Sequence, residues 1–444
     1  MITFKIGGVH PYDNKIARTE AIDPLAPPAK VAISMAQHLG APATPVVAKG
    51  DKVLVGQVIG EPAGFISGFV HSSVSGTVAA VEPRADLAGN MVPHVVIDVE
   101  GDDWDPAIDR SATIVKDITL PREELLAKIK AAGIVGMGGA TFPTHVKLNP
   151  PEGKKAEFLI INGAECEPYV TSDDRLMREK PDGVVVGAAI MAKVLGGCKC
   201  YICIEENKPE AMEAIQKACG TFPDIKVLKL KKKYPQGGEK QLIDAVTGRQ
   251  VPSGALPIDT GCVVQNVATA YAVYEAIQKN KPLFERVMTV TGQCVAGPRN
   301  LLVRLGTPLS YVLEAAGGVP ENAAKFISGG PMMGKAIANM EATTQKGSSC
   351  LLLLTEEQTR RKPEGNCIRC GKCTEACPMG LEPWLLNKLA RAGGRMDELE
   401  ENKIFDCIEC GCCLYTCPAN IPLLDVIRVN KAEVMKIIRS RAKK

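Results

Sequence analysis

The sequence predicts a multidomain α/β protein with an all-β start and a helical, cysteine-rich end. Three observations predict it. Residues 1 to about 110 are rich in Pro, Gly, Val and Ala and alternate short strands with turn signals. From Asp117 onward, apolar strand runs alternate with helical stretches, the pattern of a parallel sheet. The C-terminal part carries two copies of one cysteine spacing.

Composition narrows the class. At 444 residues the chain has length for three or four domains. Its 17 cysteines would suit a disulfide-bonded secreted protein, yet the opening is mixed and Gly-rich, with no charged, apolar, small-residue leader. A reducing cytosol, with thiols used for metal, is expected instead. The net charge of +3 calls for no nucleic acid. Lys229, Lys231, Lys232 and Lys233 read as a solvated strand edge. No apolar run reaches the roughly eighteen residues that cross a bilayer. The chain is expected to have no transmembrane segment of its own and to work at a membrane only through other subunits.

In residues 1–112, a strand-rich stretch at 46–59 is followed by His71-Ser72-Ser73-Val74-Ser75-Gly76-Thr77-Val78. This is similar to the flattened barrel of biotinyl and lipoyl carrier domains, and implies a barrel-sandwich hybrid. His71, Ser72 and Ser73 stand where the carriers keep their modified lysine, so a docking scaffold is expected.

Residues 113–284 read as an α/β domain. Pro121 sits near a helix start, and Gly133 ends the amphipathic stretch 123–132. The first loop then runs Gly133-Ile134-Val135-Gly136-Met137-Gly138-Gly139-Ala140-Thr141-Phe142-Pro143-Thr144-His145-Val146-Lys147. Closely spaced glycines admit a phosphate or a flat ring to backbone amides, and Lys147 supplies a point charge. The spacing is neither that of a Walker loop nor that of G-x-G-x-x-G. Residues 158–161 read as a buried strand opening into Asn162-Gly163-Ala164-Glu165-Cys166-Glu167-Pro168, then Asp173-Asp174-Arg175. Polar groups at the carboxyl ends of such strands are where open α/β sheets bind ligands. Helices are expected at 183–195 and 208–219, and strands at 199–205 and 226–230. Tyr234-Pro235-Gln236-Gly237-Gly238-Glu239-Lys240 is a second glycine loop, and Gly261-Cys262-Val263-Val264-Gln265-Asn266-Val267 a third polar loop before a helix.

Four motifs in this order resemble the flavin and NADH site of the flavoprotein subunit of respiratory complex I, and imply a Rossmann-like domain. The resemblance assigns Gly136, Gly138, Gly139, Lys147, Asn162, Glu165, Gly237 and Asn266 to FMN. It turns Phe142, Glu167 and Glu239 toward NAD(H). It departs at Met137, Thr141, Ala164, Gly238 and Gln265, where the family has Arg, Gly, Asp, Glu and Asn. A flavin is the part that joins two-electron nicotinamide to one-electron clusters, so no protein nucleophile is expected. Cys166, Cys262 and Cys294 read as buried small hydrophobes.

Residues 285–355 show strand signals at 286–291 and 301–303, a Gly-Thr-Pro turn at 306–308, a helix at 309–316 and a short buried strand at 351–354. They resemble the soluble-ligand-binding β-grasp module of the same complex I flavoprotein, expected here as a spacer. Gly329-Gly330-Pro331-Met332-Met333-Gly334 is expected as a turn against it.

Residues 356–425 hold Cys367, Cys370, Cys373, Cys377-Pro378 and Cys407, Cys410, Cys413, Cys417-Pro418. This is C-x2-C-x2-C-x3-C-P twice, the ligand pattern of two [4Fe-4S] clusters with the fourth cysteine crossing to the other cluster. One cluster takes Cys367, Cys370, Cys373 and Cys417, the other Cys407, Cys410, Cys413 and Cys377. Structural zinc is the alternative, but zinc commonly reads as two separated C-x2-C pairs. Cys412 is out of register, a bystander or a competitor of Cys413. Helical stretches at 382–392 and 396–405 look like an α-helical ferredoxin. Residues 426–444 form a basic helical tail bearing Arg428, Lys431, Lys436, Arg439, Arg441, Lys443 and Lys444, suited to an acidic partner, an anionic bilayer or plain solvent.

With its Gly7-Gly8-Val9-His10-Pro11 opening, the whole chain resembles the RnfC family, a component of the Rnf complex, the membrane ferredoxin:NAD oxidoreductase that pumps sodium ions or protons. The resemblance implies a peripheral subunit on the cytoplasmic side of the membrane. Its partners would be other Rnf subunits, the iron–sulfur subunit among them. A soluble microcompartment cobalamin reductase and a non-catalytic electron-transfer adapter are the alternatives.

Overall fold

The computed structural model describes residues 1–337 and 339–441. Strands Lys30–Ser34, Met91–Val99, Gly76–Ala85 and Lys52–Val53 form an antiparallel sheet, and Thr44–Pro45, Val58–Glu61 and Val70–His71 form a second. Alternate residues of both sheets, Val31, Ile33, Ile59, Val70, Val95 and Ile97 among them, share one core, which makes the sandwich. The carrier-like hairpin is sealed. Ser73 Oγ donates to the Leu305 carbonyl at 2.5 Å, and Arg304 donates to the Ser73 carbonyl at 2.7 Å. The Ser73 turn is thus tied to the strand Arg299–Arg304 and the residue after it.

The first 25 residues lie outside this sandwich. Ile22–Pro24 pairs in parallel with Arg299–Arg304, far along the chain. Ile2 and Val9 bridge Leu230 and Tyr234. The lysine-rich edge is covered in part only: Lys229 and Lys231 are exposed as expected, whereas Lys232 pairs with Asp13 at 2.5 Å and the Lys233 ammonium lies 4.0 Å over the Phe4 ring.

The α/β domain holds four parallel strands in the order Ile225–Leu230, Lys199–Glu205, Phe158–Gly163, Cys262–Asn266. Cys262–Asn266, expected as a polar loop, is the fourth strand, because Cys262, Val263 and Val264 are buried. Helix Ser172–Glu179 was hidden by its polar sequence and is braced by ion pairs Arg175–Glu179 and Asp174–Arg178. Helices Pro181–Val194 and Val267–Gln278 cross at Gly187, where a Cβ would stand 1.8 Å from the Ala270 carbonyl oxygen. Gly187→Ala is expected to force the helices apart and destabilise the domain by about 3 kcal/mol or more; a lowered denaturant midpoint checks this.

A six-stranded sheet follows, in the order Ile22–Pro24, Arg299–Arg304, Glu285–Thr291, Cys350–Thr355, Ala323–Ser328, Lys335–Ile337. Helix Leu309–Glu314 packs on it. From Glu356 to Arg441 the described residues form helices and loops only, led by Pro383–Ala392, Met396–Glu401 and Leu423–Arg441. The basic tail is part of this helical unit. Arg428 and Lys431 pair with Glu409, and Arg441 with Asp397 and Glu400. Lys436 pairs with Glu433, so four of the five described tail cations are committed within the chain; Lys443 and Lys444 lie outside the described residues. Among the described residues no helix is long and apolar enough to cross a membrane.

Candidate functional site

The parallel sheet reverses its strand order between Phe158–Gly163 and Cys262–Asn266, and ligand crevices of open α/β sheets form at such a switch. Asn162 and Asn266 stand opposite each other at its carboxyl end. Asn162 Nδ2 donates to the Gly237 carbonyl at 2.8 Å, and Asn266 Nδ2 donates to Asp173 Oδ2 at 2.6 Å. Asn266 Oδ1 also caps helix Val267–Gln278 by accepting from the Ala268 amide at 2.8 Å. Gly138 packs on Asn266: a Cβ there would meet the Asn266 Cβ at 3.3 Å. Gly139, at φ +131°, faces open space, and the Gly136 amide donates to the Phe142 carbonyl at 2.9 Å. Lys147 Nζ reaches Glu239 Oε1 at 2.5 Å and the Val264 carbonyl at 2.7 Å. The two glycine loops and two strand ends thus meet in one crevice.

Glu165 and Glu167 go elsewhere. Glu165 accepts from the amides of Asp173 and Asp174 at 2.7 and 3.3 Å, and lies 3.9 Å from Lys15 Nζ. Burial pushes its carboxyl up, and Lys15 opposes that shift. Glu167 is taken up by the Gly-Gly-Pro-Met-Met-Gly turn, accepting from the Met332 and Met333 amides at 3.1 and 2.8 Å. Glu239 pairs with Lys147 at the crevice, whereas Glu167 binds the neighbouring turn.

Donors and acceptors around the crevice suit a polar ligand. Gln265 Nε2 on the fourth strand, Gln236 Nε2 on the second glycine loop, and Thr144 Oγ1 and Ser172 Oγ at the first residues of helices Thr144–Lys147 and Ser172–Glu179 are buried without a partner among the described residues. Those orphans, the glycine cradle and Lys147 fit FMN.

Sequence reasoning missed two buried cations behind the first loop. Lys346 Nζ donates to the carbonyls of Gly133 at 2.7 Å and Phe69 at 2.9 Å. Arg286 donates to the carbonyls of Lys346 at 2.5 Å and Met137 at 3.5 Å. Nothing local marks either residue, since their partners come from three domains. Burial pushes the Lys346 ammonium down to about 7. The unfolded chain holds that proton to about pH 10.4. Unfolded protein therefore binds more protons between about pH 7 and 10.4, and this group makes stability rise with pH across that window. Lys346→Met is expected to flatten the rise; urea midpoints at several alkaline pH values check it.

The cysteines of the two repeats mix: Cys377, from the first repeat, lies near Cys407, Cys410, Cys412 and Cys413 of the second. Cys377 and Cys407 share one apolar core, Cys410 and Cys412 a second, and Cys413 a third with Cys373 and Cys417. Cys367 and Cys370 are exposed. The Cys377 and Cys407 sulfurs accept from the amides of Leu381 at 3.3 Å and Glu409 at 3.4 Å, the kind of bond that tunes a cluster sulfur. Among the described residues no three Cys, His, Asp or Glu close on a single ion; a cubane instead takes one thiolate per iron and spreads its ligands. Cys412 is fully buried toward the Tyr234 carbonyl, 3.9 Å away.

Tyr234 joins the crevice to the cysteines. Its hydroxyl donates to the Cys410 carbonyl at 2.9 Å, while Gln241 Nε2 donates to the Pro378 carbonyl at 3.2 Å. Both residues belong to the second glycine loop and the helix it opens, Glu239–Thr247.

Family models match in the same order as these modules. Residues 2–102 match the RnfC barrel sandwich hybrid domain and residues 129–275 the Nuo51 FMN-binding domain. Residues 287–336 match the SLBB domain and residues 360–418 a 4Fe-4S dicluster domain. The fold and site define an iron–sulfur flavoprotein. The RnfC protein of the proton-translocating ferredoxin:NAD(+) oxidoreductase complex of Clostridium ljungdahlii is 46% identical over 96% of this chain and 93% of that protein. Its counterpart in the Na(+)-translocating complex of Acetobacterium woodii is 45% identical over 98% of this chain and 97% of its own. The corresponding protein of the ion-translocating oxidoreductase complex of Rhodobacter capsulatus is 42% identical over 87% of this chain and 75% of its own. The chain belongs to the RnfC family of Rnf complex components.

Proposed function

We propose that this chain is the peripheral, NADH- and FMN-binding electron-transfer subunit of a membrane ferredoxin:NAD+ oxidoreductase that moves Na+ or H+. It would carry two [4Fe-4S] clusters, seated on Cys407, Cys410, Cys413 and Cys377, and on Cys367, Cys370, Cys373 and Cys417. The observation that supports this best is the shared wall at Tyr234. The loop that holds Asn162 on one side holds the Cys410 peptide on the other.

FMN, when bound, exchanges hydride with nicotinamide and single electrons with a cluster. The chain's own residues do the rest. Gly136, Gly138, Gly139, Lys147, Asn162, Gly237 and Asn266 hold the cofactor, and Glu165 shapes the loop beside it. Phe142 and Glu239 face NAD(H), whereas Glu167 fastens the crevice to the Met332–Met333 turn. The buried Cys407 set lies against the crevice, and the exposed Cys367 loop faces outward to a partner, on this reading the iron–sulfur subunit of the complex. The chain docks on the cytoplasmic side through other subunits. Relatives named for proton and for sodium translocation are similar to nearly the same degree, 46% and 45%, so likeness does not choose the ion. Family membership over nearly the whole chain argues against the microcompartment reductase.

The test is anaerobic addition of NADH to the full chain reconstituted with iron, sulfide and FMN, with flavin absorbance and cluster paramagnetic resonance followed together. Bleaching with new cluster signals is expected. Failure to bind FMN, or bound FMN that ignores NADH, would replace this reading with the non-catalytic adapter.

A further inference from the structure

The Gly-Gly-Val-His-Pro opening lies in a strap that is stitched on two sides at once. On the nucleotide side, the Lys231 amide donates to the Ile2 carbonyl at 2.9 Å, and Val9 and Tyr234 exchange backbone bonds at 2.8 and 2.9 Å. Further along, Lys15 Nζ donates to the carbonyls of Glu165, Glu167 and Val170 at 2.9, 2.9 and 2.5 Å. On the cysteine side, the Gly8 amide donates to the Ala376 carbonyl at 2.9 Å. Gly7, at φ +66°, lies so close that a Cβ would stand 2.4 Å from the Cys377 carbonyl group. Only glycine combines that conformation with that approach.

We infer that residues 2–15 are a positioning strap that sets the gap between the second glycine loop and the Cys377–Cys407–Cys410–Cys413 seat, with Gly7 as the residue that permits closure. The inference rests on the proposed electron-transfer reading. Domains joined by small interfaces move relative to one another by default. Among the described residues only Tyr234 and Gln241 bond directly across from the glycine loop and its helix to the cysteine segments, and the strap adds bonds to both partners. The step it serves oxidises one NADH to NAD+ with release of one proton, and the two electrons reduce two clusters by one electron each.

The test compares the full chain with Gly7→Ala and with Lys233→Met. The second variant removes the cation over Phe4 and its bond to the Phe4 carbonyl at 3.3 Å without adding bulk. Gly89→Ala is the control, since Gly89 has φ +83° and nothing within 4 Å of a new Cβ. Hydrogen exchange at Gly8, Val9 and Tyr234 is read first, which needs no flavin. It is expected to quicken in both test variants and to stay unchanged in the control. After rapid anaerobic mixing with NADH, flavin bleaching should keep the wild-type rate, while cluster reduction slows about tenfold or more in Gly7→Ala, since small misplacements cost rates of that order. Wild-type exchange in both test variants overturns the inference, as does a loosened strap with wild-type cluster reduction. If Gly7→Ala does not fold, Lys233→Met decides alone. If NADH never bleaches the wild type, the proposed function fails; exchange still decides whether the strap holds, and photoreduction of bound FMN supplies the cluster rate.

Discussion

Cys410→Ala is expected to leave NADH-driven flavin bleaching at the wild-type rate and to slow reduction of the outer cluster about a hundredfold or more. The reason is position. The Cys410 carbonyl accepts from Tyr234, and Cys377, Cys410 and Cys413 are buried behind it. The Cys367 and Cys370 thiols lie on the exposed loop. On the proposed two-cluster route, loss of Cys410 would interrupt transfer to the outer seat, and displacements of about 1 Å already cost rates of about a hundredfold. Cys370→Ser is the mirror experiment: the inner cluster should still be reduced, and only the outer signal should vanish. Cys412→Ala should keep the full iron content, since the doubled C-x2-C-x2-C-x3-C spacing leaves Cys412 out of register. Paramagnetic resonance after rapid freezing reads all three variants. Wild-type outer reduction in Cys410→Ala would reverse the order of the two seats.

Lys147→Met is expected to weaken FMN binding about tenfold to a hundredfold, roughly 1.4 to 3 kcal/mol, the range of a charge-assisted bond to an anionic ligand. The same substitution should barely change the melting of the FMN-free protein. Lys147 and Glu239 are 30% and 39% exposed, and ion pairs so placed contribute about 1 kcal/mol or less. The two measurements therefore separate a ligand role from a structural one. Fluorescence titration of FMN reads the first, and thermal unfolding the second. Equal FMN affinity in wild type and variant would remove Lys147 from the site.

Much of the fold was legible because burial writes a local pattern. The strands Phe158–Gly163, Lys199–Glu205 and Glu285–Thr291 are continuous apolar or β-branched runs, and sequence reading placed them within a few residues. Cys262–Asn266 misled, because a parallel strand ends polar where it meets a ligand crevice, and Gln265-Asn266 looked like a loop. Helix Ser172–Glu179 was missed for a related reason. It has few apolar residues, and its i,i+4 charge pairs were the signal available. The site residues were legible as motifs, but their direction was not. Glu167 sits in the same motif as Asn162, yet its carboxylate is claimed by amides more than 160 residues away. Lys15, Arg286 and Lys346 share that difficulty, since long-range partners leave no periodicity behind.

The strap also bears on how such a chain is made. Ile2 bridges Leu230, Ile22–Pro24 pairs with Arg299–Arg304, and Gly8 bonds Ala376. On the ribosome these residues emerge before their partners, and Gly8 must wait until Ala376 has been made before it can dock there. Contacts of such sequence separation are the slow ones, paid for in loop closure before they return anything. Docking of residues 2–15 is therefore a late event in maturation. Until it happens, the Cys377 peptide lacks the cover of Gly7.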